Sequence, residues 1–494
     1  MFQEKMMMRD LTEVLKNFGV VSPQIFVNAL RLDSREVSEG DCFIAISGHQ
    51  LDGTKFISMA VEQGAACVLV DEQAVVDAVS VPIIRIAQLK KNLARIAAQF
   101  YQMPSTTMSV VGVTGTNGKS TTTAMIASLA AHCGTPSAVI GTLGYGAPDA
   151  LTPLNNTTPS AVLLQQIFSE LQTDFNQVAM EVSSHGIVQS RTEQVDFDVA
   201  VFTNLSRDHL DYHGDMASYA KAKKRLFTES SAKYKVLNID DVYAQQWLGE
   251  LELDECVVYG QKPESHTYRH YVFFHQVVCD QNGISLKLDT SWGDAEITTN
   301  LYGLFNVYNL AAAIAALLVQ NYQLVQLQTA VAKLEPVDGR MQAFRSSGFP
   351  TCIVDYAHTP EALELALKAL QQHVPGKVSC VFGCGGDRDK GKRPLMAKAA
   401  EQFADTLVIT SDNPRSEDPN TIIDDIKAGL SEPEYAVSQP DREQAIRYAI
   451  KHADQNSVVL IAGKGHEDYQ IIGNQTLSFC DRSLVKSILQ GESA

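Results

Sequence analysis

The residues best equipped for chemistry fall in one short run, GVTGTNGKSTTT, at 112–123. A β-rich stretch, 108–113, precedes it and an apolar helical pattern, 121–132, follows. Gly115 and Gly118 let the backbone turn so that successive N–H groups face one anion, and the helix start adds its dipole. Lys119 can reach terminal phosphates and Ser120 can ligate magnesium. Gly115, Thr116, Asn117, Gly118, Lys119, Ser120 and Thr121 therefore read as a nucleotide loop. Its spacing, G-x-x-G-K-S, is shorter than the common G-x-x-x-x-G-K-[ST]. The loop alone does not decide the fate of the γ-phosphate. A kinase or NTPase, a nucleotide-switched binding protein and a ligase all stay open on this feature.

Two further runs could bring a metal to that loop. MEVSSHGIVQSR, 180–191, puts Glu181 at the end of a strand at 177–181. TNLSRDHLDYHGD, 203–215, puts His209 at the end of the next, 198–203. Ends of neighbouring parallel strands converge on one crevice. A lone Glu or His there reads as a structural hydrogen bond; two beside a phosphate loop read as a magnesium site.

Positioning these groups requires alternating strands and helices, and three such stretches separate. Residues 1–104 carry strand patterns at 42–46, 66–70 and 82–86, with turn chemistry in QMPST at 102–106. Residues 105–338 hold the loop, the strands just named and another at 235–239, then a more antiparallel alternation over 259–299. Residues 339–494 carry strands at 352–356, 377–382, 407–410 and 458–462. The expected fold is three α/β domains: an N-terminal α/β domain, a central P-loop-type parallel sheet and a C-terminal Rossmann-like domain.

Composition narrows the function classes. A net charge of −17 disfavours a general nucleic-acid or anionic-membrane surface. The start, MFQEKMMMRDLTEV, lacks an apolar core of signal-peptide length, and the longest apolar run, 310–319, is too short to cross a bilayer. A cytoplasmic location is expected. The 9 cysteines form no CxxC pair, so free thiols are expected rather than disulfides or a zinc site.

The run TGTNGKS is similar to the phosphate loop of the Mur ligase family, ATP-dependent amide-forming enzymes that include the folylpolyglutamate synthetases. Further family motifs follow in order from Leu32 to Gln470. That joint order speaks against a simple kinase or NTPase, and a mere binding protein would not need a metal set. The resemblance implies catalytic roles for Lys119, Glu181, His209 and Lys223. Magnesium would be held by Ser120, Glu181, His209 and Lys223 as its carbamate, an oxygen ligand suited to a hard ion. In SYAKAKKRLF, Lys223 matches the modified lysine, and Lys221 and Lys224 read as solvated. ATP is the implied co-substrate, with Asn306 and Asn309 of GLFNVYN, Arg340 of PVDGRM, and Asp355 and His358 of VDYAHTP around it. Asp355 could accept ribose hydroxyls. Arg340 would reach ATP as the domains close.

The same resemblance implies a UDP-muramoyl dipeptide as acceptor. Asn156, Thr157, Thr158, Ser183, Gln189 and Arg191 would bind it, with Arg191 on a carboxylate or pyrophosphate. Locally, Thr157 or Thr158 is equally a helix N-cap. LDSREV and GHQLDG would bring Leu32, Ser34, His49 and Gln50 to the uracil and diphosphate. In FGCGGDRDKGKRP, Arg388, Lys390, Lys392 and Arg393 form a basic cluster expected to meet an anion or carboxylate. SDNPRSEDP and AGKGHEDYQ supply mixed charge, and their DNPR tetrad resembles the family's recognition motif for meso-diaminopimelate. Arg388, Asp412, Asn413, Pro414, Arg415, Gly463 and Glu467 would hold that amino acid, arginines forking its carboxylates and acids its ammonium groups. L-Lysine is the alternative amine. No nucleic-acid partner and no membrane span are expected, and a monomer is.

Overall fold

The structure, a computed structural model, describes residues 8–22, 24–46 and 52–491. His49 and Gln50 lie outside the described residues. By compactness the chain divides into two units. The first comprises 1–258, 268–270 and 315–320, the second 259–267, 271–314 and 321–494.

The first unit holds a two-stranded ladder, Arg9–Asp10 with Phe26–Val27, and two larger sheets. Leu30–Arg31, Cys42–Ala45, Cys67–Asp71 and Ile83–Ile86 pair in that order, all parallel. Apolar side chains fill both faces: Ile44 and Leu69 on one, Phe43 and Val68 on the other. A parallel sheet covered on both faces produces this near-continuous apolar reading. The larger sheet places Ser109–Thr114 at its centre, between Gln177–Glu181 and Val199–Phe202. Ser137–Gly141 and Tyr234–Asn238 lie outside these, again parallel. All their carboxyl ends therefore open on one edge, where the connections from the central strand diverge to opposite sides. The helix after the phosphate loop begins at Lys119, two residues before the sequence pattern showed apolar periodicity, and runs to His132.

In the second unit, His270–Asp280, Gly283–Thr290 and Gly293–Thr299 form the antiparallel ladder expected from their alternation. A six-stranded sheet runs in the order Gln342–Phe344, Thr351–Asp355, Val458–Ala462, Val378–Phe382, Thr406–Ile409, Val437–Ser438. Only its first pair is antiparallel. Cys380, Phe382 and Leu460 pack on one face, Val381, Val459 and Ile461 on the other. All 9 cysteines are free thiols. Among the described residues no helix is long and apolar enough to cross a membrane.

Candidate active site

At the first unit's strand ends, the phosphate loop is braced by the segment that leaves the neighbouring strand. Thr203 Oγ1 donates to Asn117 O at 2.6 Å. Asn117 N donates to Asn204 Oδ1 at 3.0 Å, and Thr116 N to Asn204 O at 2.8 Å. Gly115 has φ +153°, and a Cβ there would lie 1.9 Å from Thr203 Oγ1, so the close approach requires glycine. The loop is thus pre-shaped by Thr203 and Asn204, for which the run 203–215 gave no separate signal.

Two amines meet at one carbonyl. Lys119 Nζ donates to Gly115 O at 2.9 Å and Lys223 Nζ to the same oxygen at 2.7 Å. Lys223 is buried, its Nζ 4.6 Å from the Tyr219 ring centroid. Burial, and then the neighbouring Lys119, push its amine well below the usual lysine range. Lys221 is exposed, whereas Lys224 is paired with Glu250 at 2.5 Å rather than simply solvated.

Glu181 is buried at its strand end. Its Oε1 accepts from Ser120 Oγ and from Thr142 N, both at 2.8 Å, and Oε2 accepts from Thr142 Oγ1 at 3.3 Å. Thr142 carried no sequence signal. A hydroxyl bonded to a carboxylate is a hard oxygen pair that fits magnesium, an ion that keeps several waters and phosphate oxygens as ligands. Among the described residues no group of three or more His, Cys, Asp or Glu stands ready for a metal without such help.

His209 departs from expectation. The strand stops at Phe202 because Thr203 and Asn204 turn to the phosphate loop, and His209 instead heads the short helix Leu210–His213 with φ +53°. Its ring is about half exposed, 3.4 Å from Asp208 and edge-on to His185 at 5.0 Å.

Thr158 Oγ1 donates to Glu181 O at 2.8 Å and accepts from Ser183 N at 2.9 Å. Arg191 donates to Gln189 Oε1 at 3.0 and 2.6 Å and to Thr158 O at 2.6 Å. Thr157 Oγ1 is 3.0 Å from Thr142 Oγ1. The structure thus gathers Thr157, Thr158, Ser183, Gln189 and Arg191, and leaves Asn156 exposed. The N-cap of Ala161–Leu171 is Ser160, not Thr157 or Thr158, since its hydroxyl accepts from Leu163 N. Leu32 packs half-buried against the N-terminal core, and Ser34 turns inward with Oγ 3.4 Å from Met59 Sδ.

The second unit carries the remaining residues. Asn306 Nδ2 donates to Tyr302 O at 2.8 Å and Asn309 Nδ2 to Asn306 Oδ1 at 3.0 Å. Asp355 accepts from Met341 N and Ala357 N at 2.7 and 2.8 Å; burial nonetheless raises its carboxyl above the usual range, against the pull of Arg340. The Arg340 guanidinium lies 4.5 Å from the Tyr356 ring centroid, and His358 meets the same ring edge-on at 4.7 Å.

The basic cluster needs correction. Arg393 is fully buried and bound to Glu417 and Asp425, while Lys390 pairs with Glu417 and Lys392 donates to His358 O. These carboxylates and the carbonyl already occupy three of the four cations, so among the described residues Arg388 alone of the four is exposed with no such partner. Arg415 also pairs with no carboxylate among the described residues; its NH1 donates to Gly386 O at 2.9 Å. Asn413 is buried with three side-chain bonds: it donates to Glu467 Oε2 at 3.0 Å and accepts from Lys464 Nζ and Ile471 N. Lys464, fully buried and 3.0 Å from Glu467 Oε2, was missed by sequence reading. So was Arg442, whose buried fork on Asp481 also reaches Ser411 O and Ala462 O.

A strand–glycine loop–helix with a hydroxyl–carboxylate pair beside it defines a nucleotide-using α/β enzyme. Residues 27–101 match the family model for the Mur ligase family catalytic domain, 113–317 the Mur ligase middle domain and 339–465 the Mur ligase glutamate ligase domain. A solved UDP-N-acetylmuramoyl-L-alanyl-D-glutamate–2,6-diaminopimelate ligase is 34% identical, over 98% of this chain and 99% of that one, with a TM-score of 0.70. A UDP-N-acetylmuramoylalanyl-D-glutamyl-2,6-diaminopimelate–D-alanyl-D-alanyl ligase from Acinetobacter baumannii is 17% identical over 94% and 97%, TM-score 0.69. A Mycobacterium tuberculosis folylpolyglutamate synthase complexed with ADP and AMPPCP is 19% identical over 75% and 91%, TM-score 0.60. The last two likenesses speak for the fold alone. The chain belongs to the Mur ligase family and is an ATP-dependent amide-bond-forming ligase with the family's three-domain α/β architecture.

Proposed function

We propose that this ligase adds meso-diaminopimelate to the D-glutamate γ-carboxylate of UDP-N-acetylmuramoyl-L-Ala-D-Glu, a step of peptidoglycan precursor synthesis. The observation that carries the reading is the pair of arginines, Arg388 and Arg415, without carboxylate partners among the described residues, in the same unit as the ionic pair Lys464–Glu467. Two guanidiniums and an acid in one unit suit an amino acid with a distal carboxylate and a second ammonium group. The 34% identical relative carries that activity in its name.

A carboxylate does not condense with an amine at neutral pH. The acceptor carboxylate oxygen attacks the γ-phosphorus, its new P–O bond replacing the bond to ADP. The free amine of diaminopimelate then attacks the acyl carbon, a C–N bond forms, and phosphate leaves with the C–O electron pair. In this reading, the loop N–H groups and Lys119 hold the phosphates, and Arg191 orients the acceptor. Asn306, Asn309, Arg340, Asp355 and His358 serve the nucleotide. Ser120, Glu181, His209 and a carbamylated Lys223 would hold magnesium, which supplies neutralising charge at the phosphates when bound. The low basicity of buried Lys223 favours the neutral amine that carbamylation needs.

The deciding experiment incubates the enzyme with ATP, magnesium and the UDP-muramoyl dipeptide, with meso-diaminopimelate or L-lysine in parallel, and weighs the nucleotide product by mass spectrometry. A tripeptide only with diaminopimelate is expected. A lysine adduct would keep the ligase and overturn the specificity. No adduct with either would overturn the substrate assignment.

A further inference from the structure

Two loops at the carboxyl edge of the second unit's sheet, 383–389 and 411–417, are zipped together along their length. Gly386 N donates to Asn413 O at 2.9 Å, and Arg415 NH1 returns a bond to Gly386 O at 2.9 Å. A Cβ at Gly386 would lie 1.9 Å from Pro414 O, so the backbones are in contact. At the outer end Ser416 Oγ donates to Asp387 Oδ1 at 2.6 Å, and Ser416 N to Asp387 Oδ2 at 3.2 Å. The knot beneath is Glu417. Its Oε1 accepts from Asp387 N at 2.6 Å and Arg393 NH2 at 2.8 Å, and its Oε2 from Arg393 NH1 at 3.0 Å. Arg393 is 0% exposed and also grips Asp425 at 2.8 Å. Arg393 first, and then the Asp387 N–H, hold the Glu417 carboxyl down to about 2.

The clamp has a consequence for the two arginines without acid partners. One sits on each loop, and both come to the side of Gly385: a Cβ there would lie 3.0 Å from Arg415 NH1 and 3.5 Å from Arg388 Cγ. Arg415 itself is held at φ +51°, a conformation that costs energy for a residue with a Cβ and persists only where its surroundings impose it. Its backbone is fixed from the other side by bonds with Ile471 and Gly473. The separation of the two loop positions from which these arginines project is thus set by loop pairing.

We infer that Glu417, seated on Arg393, is a positioning residue that fixes the separation of Arg388 and Arg415 and so sets selection for an amino acid with a distal carboxylate. This rests on the diaminopimelate reading above and deepens it. Glu417 touches no substrate; it acts through the two loops. Glutamine in its place keeps the volume but turns an N–H₂ toward one of the Arg393 nitrogens, breaking the fork.

The test measures steady-state kinetics of the full-length enzyme with each of the three substrates varied in turn. In Glu417→Gln the KM for meso-diaminopimelate should rise about tenfold, the equivalent of one charge-assisted hydrogen bond. The KM values for ATP and for the UDP-muramoyl dipeptide should stay within about twofold. A general folding defect lowers the active fraction and hence Vmax, and does not move one KM selectively. Asp387→Ala, at the exposed outer latch, leaves buried Arg393 untouched and should shift the same KM in the same direction, so it decides the matter if Glu417→Gln is insoluble. Unchanged diaminopimelate KM in a wild-type-like background, or equal rises for all three substrates, overturns the role of Glu417. A wild-type enzyme that adds no diaminopimelate overturns instead the reading on which it rests.

Discussion

Asp481→Asn isolates the charge on which the second unit's loop bases depend. Arg442 and Asp481 are both 0% exposed in their side chains and meet as a fork, Nε to Oδ1 at 2.8 Å and NH2 to Oδ2 at 2.7 Å. Asparagine preserves the shape and one acceptor, so no cavity opens. What remains is a fully buried guanidinium with no directly bonded countercharge, Asp412 and Glu467 acting on it only from further off. Removing one partner of a buried pair costs about 3–5 kcal/mol, because the other charge stays buried. At roughly 2–4 °C per kcal/mol for a folding unit of this size, the thermal transition should fall by about 6–20 °C. Calorimetry reads it directly. The double variant Arg442→Met with Asp481→Leu removes both charges and should recover most of the loss, since apolar replacement of a buried pair is often neutral. Arg442 also donates to Ser411 O at 3.2 Å and Ala462 O at 3.0 Å, the residues just before Asp412 and Gly463. Asp481→Asn should therefore also weaken binding of the amine substrate while sparing ATP. A shift under about 2 °C, or a double variant as unstable as the single one, would refute the argument.

Three further perturbations follow from the same geometry. Glu181→Gln keeps the packing around Ser120 and Thr142 but removes the charge, so turnover should fall by about two orders of magnitude with the melting temperature little changed; phosphate release with all substrates present checks it, and retained turnover would remove Glu181 from the chemistry. Arg415→Lys loses the planar fork, so kcat/KM for meso-diaminopimelate should drop about 10–100-fold with little effect on any activity toward L-lysine; equal losses would detach Arg415 from the distal carboxylate. His373 is buried with Nε2 accepting from Gly303 N at 2.9 Å and Nδ1 2.8 Å from Asp280 O, which fixes a neutral ring, and burial depresses its pKa below the ordinary 6.5. A depressed histidine stabilises above its unfolded pKa and loses that contribution as pH falls, so the melting temperature should decline from about pH 6.5 downward, and more steeply in the wild type than in His373→Gln. Parallel pH curves would sink that assignment.

Much of this was readable in the sequence because it is written in local chemistry. Strand 177–181 and strand 458–462 appear in the structure with the bounds their apolar runs suggested. The phosphate loop is a contiguous motif whose glycines, lysine and serine act within a few residues of one another. What stayed hidden is long-range. Thr142 meets Glu181 across 39 positions and Arg442 meets Asp481 across 39, and neither pair has a spacing that a linear reading can interpret. The basic run 388–393 misled for the same reason: its acids come from Glu417 and Asp425, so charges that look free along the chain are satisfied in space. His209 misled because it lies past the strand that ends at Phe202, at the head of a separate short helix, Leu210–His213.

The two compact units build their binding groups by different physics. Around Gly115 the loop is shaped by Thr203 and Asn204, and in the proposed reading its remaining N–H groups meet the phosphates that every nucleoside triphosphate shares. Around Gly385 the groups proposed for recognition are long, rotatable guanidiniums, and the ion pairs Arg393–Glu417 and Arg442–Asp481 help to fix the loops that carry them. A buried ion pair is a poor source of net stability, yet it is costly to break on one side. That asymmetry suits a specificity device. Side chains that touch the amine can differ between relatives that share the phosphate chemistry, while the pairs beneath them hold whichever arrangement is present. Changes in amine preference should then track residues around Gly385 and the pairs that hold their loops, and leave the loop at 115–120 alone.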